Sequence, residues 1–200
     1  MVAKTIVEDY FTVEDYRQVS EMLESLGFPV MLEEGRLVKR VSTKAWHSII
    51  TGIIHSYIQM HLITYDLPGI VTGETTGYQA ADDDCPEPDV AYCSALRQYI
   101  GEPCIPPEYP PDLVIEIVSD PKNKREIERL AEKRAKYLAM GATVWDVWAA
   151  AREVRSYVPG QSEPTIERDT LTFAGLPGLA IPLNVVFAKL PKDDDEQEKS

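Results

Sequence analysis

A length of 200 residues, 44% hydrophobic and 26% charged, suffices for one globular domain with a core and a face left free for a site. The 20 basic and 33 acidic side chains leave a net charge of −13, which excludes a protein that coats nucleic acid through a general basic surface. Acidic residues in the opening segment and the absence of a long apolar run predict a cytoplasmic protein with no membrane partner, and three cysteines without a C-x-x-C pair argue against structural zinc. Residues 1–190 are expected to form a single domain, followed by an acidic disordered tail over 191–200 that has little to bury.

Thr12 followed by Asp15 resembles a capping box, and Tyr16, Val19, Met22, Leu23 and Leu26 recur at helical spacing until Gly27. Val30 to Leu32 and Leu37 to Val41 flank Glu33, Glu34 and Gly35, the pattern of a β-hairpin. Ser42 or Thr43 is placed to cap a second, longer helix with a wide apolar stripe from Trp46 to Leu62. Short strands are expected at Ile70 to Thr72 and Thr76 to Gln79, and another over Pro88 to Cys93. The proline-rich stretch from Glu102 to Pro111 reads as a loop, because proline removes donors and fixes φ.

Leu113 to Val118 follows, a strand apolar enough to be covered on both faces. Lys124 to Met140 reads as a helix closed by Gly141, then come strands over Thr143 to Ala149 and Glu153 to Val158, turning at Ala151 and Arg152. The last stretch, Leu171 to Leu190, is mixed and interrupted by Pro177 and Pro182. Between Lys122 and Lys136 the local charge is opposite to the global charge, with Lys122, Lys124, Arg125, Arg129, Lys133, Arg134 and Lys136 against Glu126, Glu128 and Glu132. That run is either a solvated helix face laced with i,i+4 pairs or a basic lip beside an acidic pocket.

Glu116 is the anomaly of the chain. Period-two alternation puts Asp112, Val114, Glu116 and Val118 on one face of their strand and Leu113, Ile115 and Ile117 on the other. An unpaired buried carboxylate costs several kcal/mol, so a mid-strand Glu calls for a cation, a metal or an opening to water. An edge strand or a structural salt bridge would also accommodate it. Asp89, at the start of another strand, is the second carboxylate. Two carboxylates on neighbouring strands can hold Mg²⁺, which binds hard oxygen ligands and activates water against a phosphodiester, and a nearby lysine would offset charge developing on phosphate.

Pro88-Asp89-Val90, then Pro111-Asp112-Leu113-Val114-Ile115-Glu116-Ile117-Val118-Ser119, then Lys133, Tyr137 and Gly141 leading into Val144-Trp145, together resemble the Uma-two family of the PD-(D/E)XK nuclease superfamily. The likeness extends upstream through Glu33-Glu34-Gly35-Arg36-Leu37 and His47, and covers most of residues 10 to 160. It implies an α/β, restriction-endonuclease-like fold with a mixed central β-sheet flanked by helices. It also implies that Asp89 is the metal-binding aspartate and Glu116 the acid of the D/E-x-K strand. Val118 stands where that strand's lysine is expected, and Lys133 on the following helix, one turn from Tyr137, matches the family's displaced lysine.

Supporting roles fall to Asp112, as a third ligand or a strand-entry residue, and to His47, as a phosphate contact or a helix cap. Tyr137 joins them, as does Glu33, a displaced counterpart of a Glu that relatives carry where this chain has Val30 and Met31. Arg134, oddly placed in the apolar stripe of its helix, rivals Lys133. The expected activity is that of an endodeoxyribonuclease using Mg²⁺ (or Mn²⁺), with DNA as substrate and, by analogy with the two strands of a duplex, a homodimer. The alternatives are a catalytically inactive nucleic-acid or partner-binding module on a nuclease scaffold, and a metal-dependent hydrolase of smaller phosphate esters.

Overall fold

The computed structural model describes residues 10–40, 44–98 and 101–190. The expected acidic tail and the capping residues Ser42 and Thr43 lie outside the described residues. Helix α1 (Val13–Ser25) starts at the predicted capping box: Asp15 N–H donates to Thr12 Oγ1 (3.2 Å) and Thr12 N–H to Asp15 Oδ2 (2.9 Å). The antiparallel hairpin β1 (Val30–Glu33) and β2 (Arg36–Lys39) turns at Glu34 and Gly35, both with positive φ. Helix α2 (Ala45–Tyr65) begins after Lys44, which stands at the N-cap and makes no side-chain capping bond.

Next come β3 (Ile70–Gly73), β4 (Gly77–Tyr78), β5 (Val90–Cys93), β6 (Cys104–Ile105) and β7 (Leu113–Ile117), then α3 (Lys124–Ala139) and β8 (Thr143–Trp148). A short 3₁₀ turn leads to β9 (Glu153–Tyr157) and β10 (Thr165–Glu167); β11 (Thr170–Leu171), β12 (Ile181–Pro182) and α4 (Leu183–Val186) close the described chain.

The central sheet has six strands in the order β10-β9-β8-β7-β5-β3. Only β7 and β8 run parallel, with α3 as their crossover, and the other pairs are antiparallel. Every residue of β7 is buried, as its apolar run predicts for a strand covered on both faces. Leu113, Ile115 and Ile117 pack with Ile50, Ile54, Ile58 and Leu62 of α2 and with Leu183, Val186 and Phe187 from the C-terminal segment. Each such side chain contributes about 1.5–3 kcal/mol on burial. Val114, on the opposite face, packs with Val144, Tyr137 and Leu138 under α3. The molecule is thus an α/β mixed sheet between helical layers, and Glu116 points to the α3 side. No helix among the described residues is long and apolar enough to cross a membrane.

The proline-rich stretch departs from its expected loop. Cys104 and Ile105 form β6, paired in parallel with β4. Proline removes a donor but keeps its carbonyl, so Pro103 O accepts from Gly77 N–H (3.1 Å) and Ile105 O from Gln79 N–H (2.9 Å). A disulfide between Cys85 and Cys104 fastens this strand to the segment that leads into β5, while Cys93 is free and buried. An odd cysteine count gives no hint of that pairing.

Candidate active site

Strands β5 and β7 pair with Val90 opposite Ile115, so one step outward Asp89 stands opposite Glu116. In the parallel pair β7–β8, Glu116 lies beside Asp146. Three carboxylates therefore form a row across neighbouring strands on the α3 side. Because β7 is internal to the sheet, a solvated edge position for Glu116 is excluded.

Helix α3 supplies cations to this row from consecutive positions. Lys133 Nζ lies 2.5 Å from Glu116 Oε1 and donates to the Glu87 carbonyl (2.8 Å). One turn on, the buried Tyr137 hydroxyl donates to the same Glu116 oxygen (3.2 Å). Arg134 does not compete for Glu116. It pairs with the fully buried Asp146 and stacks 4.1 Å from the Tyr157 ring centroid, which explains an arginine in an apolar stripe.

Asp89 is held from two sides. Its Oδ2 accepts from Ile117 N–H (2.6 Å) and lies 3.2 Å from His47 Nε2. His47 belongs to the first turn of α2, where it is buried, and its Nδ1 is 3.7 Å from Glu74 Oε1 with no hydrogen-bond partner. The imidazole thus reaches the aspartate rather than capping its helix.

A cavity of about 560 Å³ opens over Asp89, Glu116 and Lys133. Arg40, Glu87 and Arg129 also line it; the sequence pointed to Arg129 only as part of the basic run on α3, and to Arg40 and Glu87 not at all. Glu87 is buried between Pro86 and Pro88; its carboxylate takes Arg40 Nε (2.9 Å) and Nη2 (2.5 Å) as well as the Tyr16 hydroxyl (3.2 Å). Its carbonyl is the one that steadies Lys133. Glu33 is paired with Arg129 and lines an adjacent cavity of about 500 Å³, outside the Asp89 and Glu116 pocket. Asp112 lies on the same face as Glu116 but four positions earlier, about 13 Å back along the strand. There it accepts from Ser94 N–H (2.6 Å), the work of a strand-entry residue rather than a ligand beside Glu116.

Burial pushes the Glu116 carboxyl up to about 7, a rise that the Lys133 ammonium opposes and the Asp89 charge reinforces. Burial likewise raises Asp146, to about 6, against the pull of Arg134. For His47, burial favours the neutral ring, but the hydrogen bond and charge of Asp89, with Glu74 and Glu116 behind them, outweigh it, and its pKa is raised.

Comparison with known proteins gives a consistent picture. A family model, Uma2, described as "Putative restriction endonuclease", matches residues 13–185. Among solved structures, the chain is similar to one described as a "putative nuclease belonging to DUF820" from Anabaena variabilis, with a TM-score of 0.65 and 16% identity. The match covers 89% of this chain and 98% of that one. No curated protein matches.

Proposed function

The chain belongs to the Uma2 family of restriction-endonuclease-like proteins, and from that premise we propose that it is an endodeoxyribonuclease, hydrolysing DNA phosphodiester bonds with Mg²⁺ or Mn²⁺. The observation that carries this reading is Asp89 and Glu116 side by side on β5 and β7, with the Lys133 ammonium on Glu116.

The donor set suits a hard cation that keeps most of its water. Among the described residues no group of three or more His, Cys, Asp or Glu could hold a metal ion. Mg²⁺ needs only one or two carboxylates and completes its shell with water and phosphate oxygens. The elevated Glu116 carboxyl points the same way: burial first and the neighbouring Asp89 charge second disfavour its ionised form, and a cation between the two acids would relieve both. Asp89 and Glu116 would hold the ion, which supplies an activated water and offsets phosphate charge.

The chain's own groups do the rest. Lys133, anchored on the Glu87 carbonyl, presents its charge where negative charge grows on the phosphoryl oxygens. Tyr137 fixes Glu116, and His47 and Ile117 N–H fix Asp89, so neither carboxylate must reorganise during the reaction. Arg129 stands at the cavity wall, where its guanidinium pairs with Glu33.

The decisive comparison is plasmid cleavage by the purified protein and its Glu116→Ala variant in Mg²⁺ or Mn²⁺. Cleavage should fall at least about a thousandfold with the fold intact by circular dichroism. Undiminished cleavage by the variant would remove the reading. The net charge of −13 favours one competing substrate class, smaller phosphate esters, and a parallel panel of single-stranded DNA, RNA and nucleotides separates the two.

A further inference from the structure

A separate cavity of about 280 Å³ adjoins the active-site cavity, and Arg40 and Thr75 line both. Helix α1 forms one side of it through Tyr16 and Ser20, and β3 and β6 form the other through Ile70, Thr72 and Ile105. Its size, at the lower edge of the roughly 300–1,000 Å³ usual for ligand pockets, suits a single ring system. Ser20 is 8% exposed, and its Oγ has no hydrogen-bond partner among the described residues. Serine and threonine inside a helix commonly bond back to the carbonyl one turn earlier, as Thr51 and Ser56 do in α2. Ser20 makes no such bond, and its hydroxyl is left to the cavity it lines.

The shared wall and the mouth differ in character. Arg40 engages Glu87 through one edge of its guanidinium, Nε at 2.9 Å and Nη2 at 2.5 Å, which leaves its flat faces to stack on a ring. Glu21 and Glu24, also in the lining, are exposed and form no ion pair among the described residues. Ionised carboxylates only accept hydrogen bonds, so this mouth favours a ligand that brings donors and repels one that brings phosphate.

We propose that this cavity receives one unpaired nucleobase bearing an amino group, from a strand whose phosphate lies over Asp89 and Glu116. The inference rests on the nuclease reading and narrows its substrate to single-stranded or locally opened DNA, because a base stacked in a duplex reaches such a pocket only by extrusion. The ring stacks on Arg40 between apolar walls, its amino group donates to Glu21 or Glu24, and Ser20 supplies a further hydrogen bond. The common wall at Arg40 and Thr75 sets base and phosphate on its two sides, and the acidic mouth keeps the phosphate out of the base cavity. A net charge of −13 is then no obstacle, since stacking and base contacts supply affinity that a basic surface would otherwise provide.

Amide NMR of the full chain, titrated with deoxyadenosine, deoxycytidine and thymidine up to about 10 mM, tests the pocket without metal or cleavage. The first two should shift the amides of Ser20, Thr72 and Thr76, and thymidine, which has no amino group, should bind about tenfold more weakly. Replacing Glu21 and Glu24 with alanine, both exposed on α1, should erase that preference, and Ser20→Leu, which fills the cavity, should abolish the shifts. If Ser20→Leu melts below the parent, the alanine pair decides alone. In Ca²⁺, a short single strand should bind the parent at least about tenfold more tightly than the same sugar-phosphate strand stripped of its bases, and the variants should lose most of that difference. Nucleosides that leave these amides unmoved overturn the proposal, as does thymidine binding equally well. A pocket that takes free nucleosides while strand affinity ignores both the bases and the variants overturns it too. Neither readout needs cleavage, so failure here strikes the base pocket alone, whereas undiminished cleavage by Glu116→Ala strikes the nuclease reading.

Discussion

At Glu116 chemistry and folding pull in opposite directions. Its carboxyl sits at about 7 in the folded chain against 4.5 when unperturbed, first because it is buried. An acid with a raised folded pKa binds its proton more tightly in the fold. Stability is therefore fully present below about 4.5, falls as pH climbs to about 7, and stays reduced above. Glu116→Gln removes that charge and should be more stable than the parent at about pH 8 without metal, by on the order of 3 kcal/mol. The gap should close on acidification below 4.5, and calorimetry showing a pH-independent difference would sink the account. Glu116 was legible in the sequence for this very reason, since a carboxylate in an apolar strand demands a partner. Asp89 was legible through its pairing with Glu116, and Lys133 only through resemblance. Arg40 and Glu87 escaped notice because they meet across 47 residues, and a Glu between two prolines reads as a turn.

Among the elements, α1 announces itself by its capping box, α2 and α3 by apolar periodicity, and β7 by its unbroken branched run. Strand β6 did not, since its neighbours Pro103, Pro106 and Pro107 suggest a loop and its two free N–H groups are easily overlooked. The disulfide was equally hidden, because Cys93 makes the count odd and nothing local pairs Cys85 with Cys104 across 19 residues. That link ties the approach to Asp89, four residues past Cys85, to β6. Closing a loop of this size limits the unfolded chain, so replacing both cysteines with serine should cost about 3 kcal/mol in urea unfolding. A loss below about 0.5 kcal/mol would show that β4–β6 pairing holds the segment without it. Thiols stay reduced in the cytoplasm, the location expected from the sequence, and the same titration run with reductant measures the stability available there.

On the scale of the whole molecule, a net charge of −13 and a DNA substrate look incompatible until the cations are sorted by what they touch. Much of the basic run on α3 is already engaged: Arg129 with Glu33, Lys133 with Glu116, Arg134 with Asp146, and Lys136 with Asp84 and Glu34. These pairs reach across to other elements instead of running i,i+4 along the helix, a distinction invisible to charge counting. Among the described residues, Lys122, Lys124 and Arg125 enter no ion pair and are exposed, at the end of α3 nearest the loop that leaves β7. A lip of three cations beside an acidic site predicts weak duplex binding with a shallow salt dependence, the logarithm of the association constant falling with a slope of about −3 against log salt. Replacing Lys124 and Arg125 with glutamine should flatten that slope by about 2 and weaken binding equally for all sequences, because phosphate contacts position a duplex without reading it. Fluorescence anisotropy across a salt series, in Ca²⁺ to hold off cleavage, reads both quantities. An unchanged slope in the double variant would mean that the backbone enters by another face, and that the lip on α3 serves only to solvate the helix.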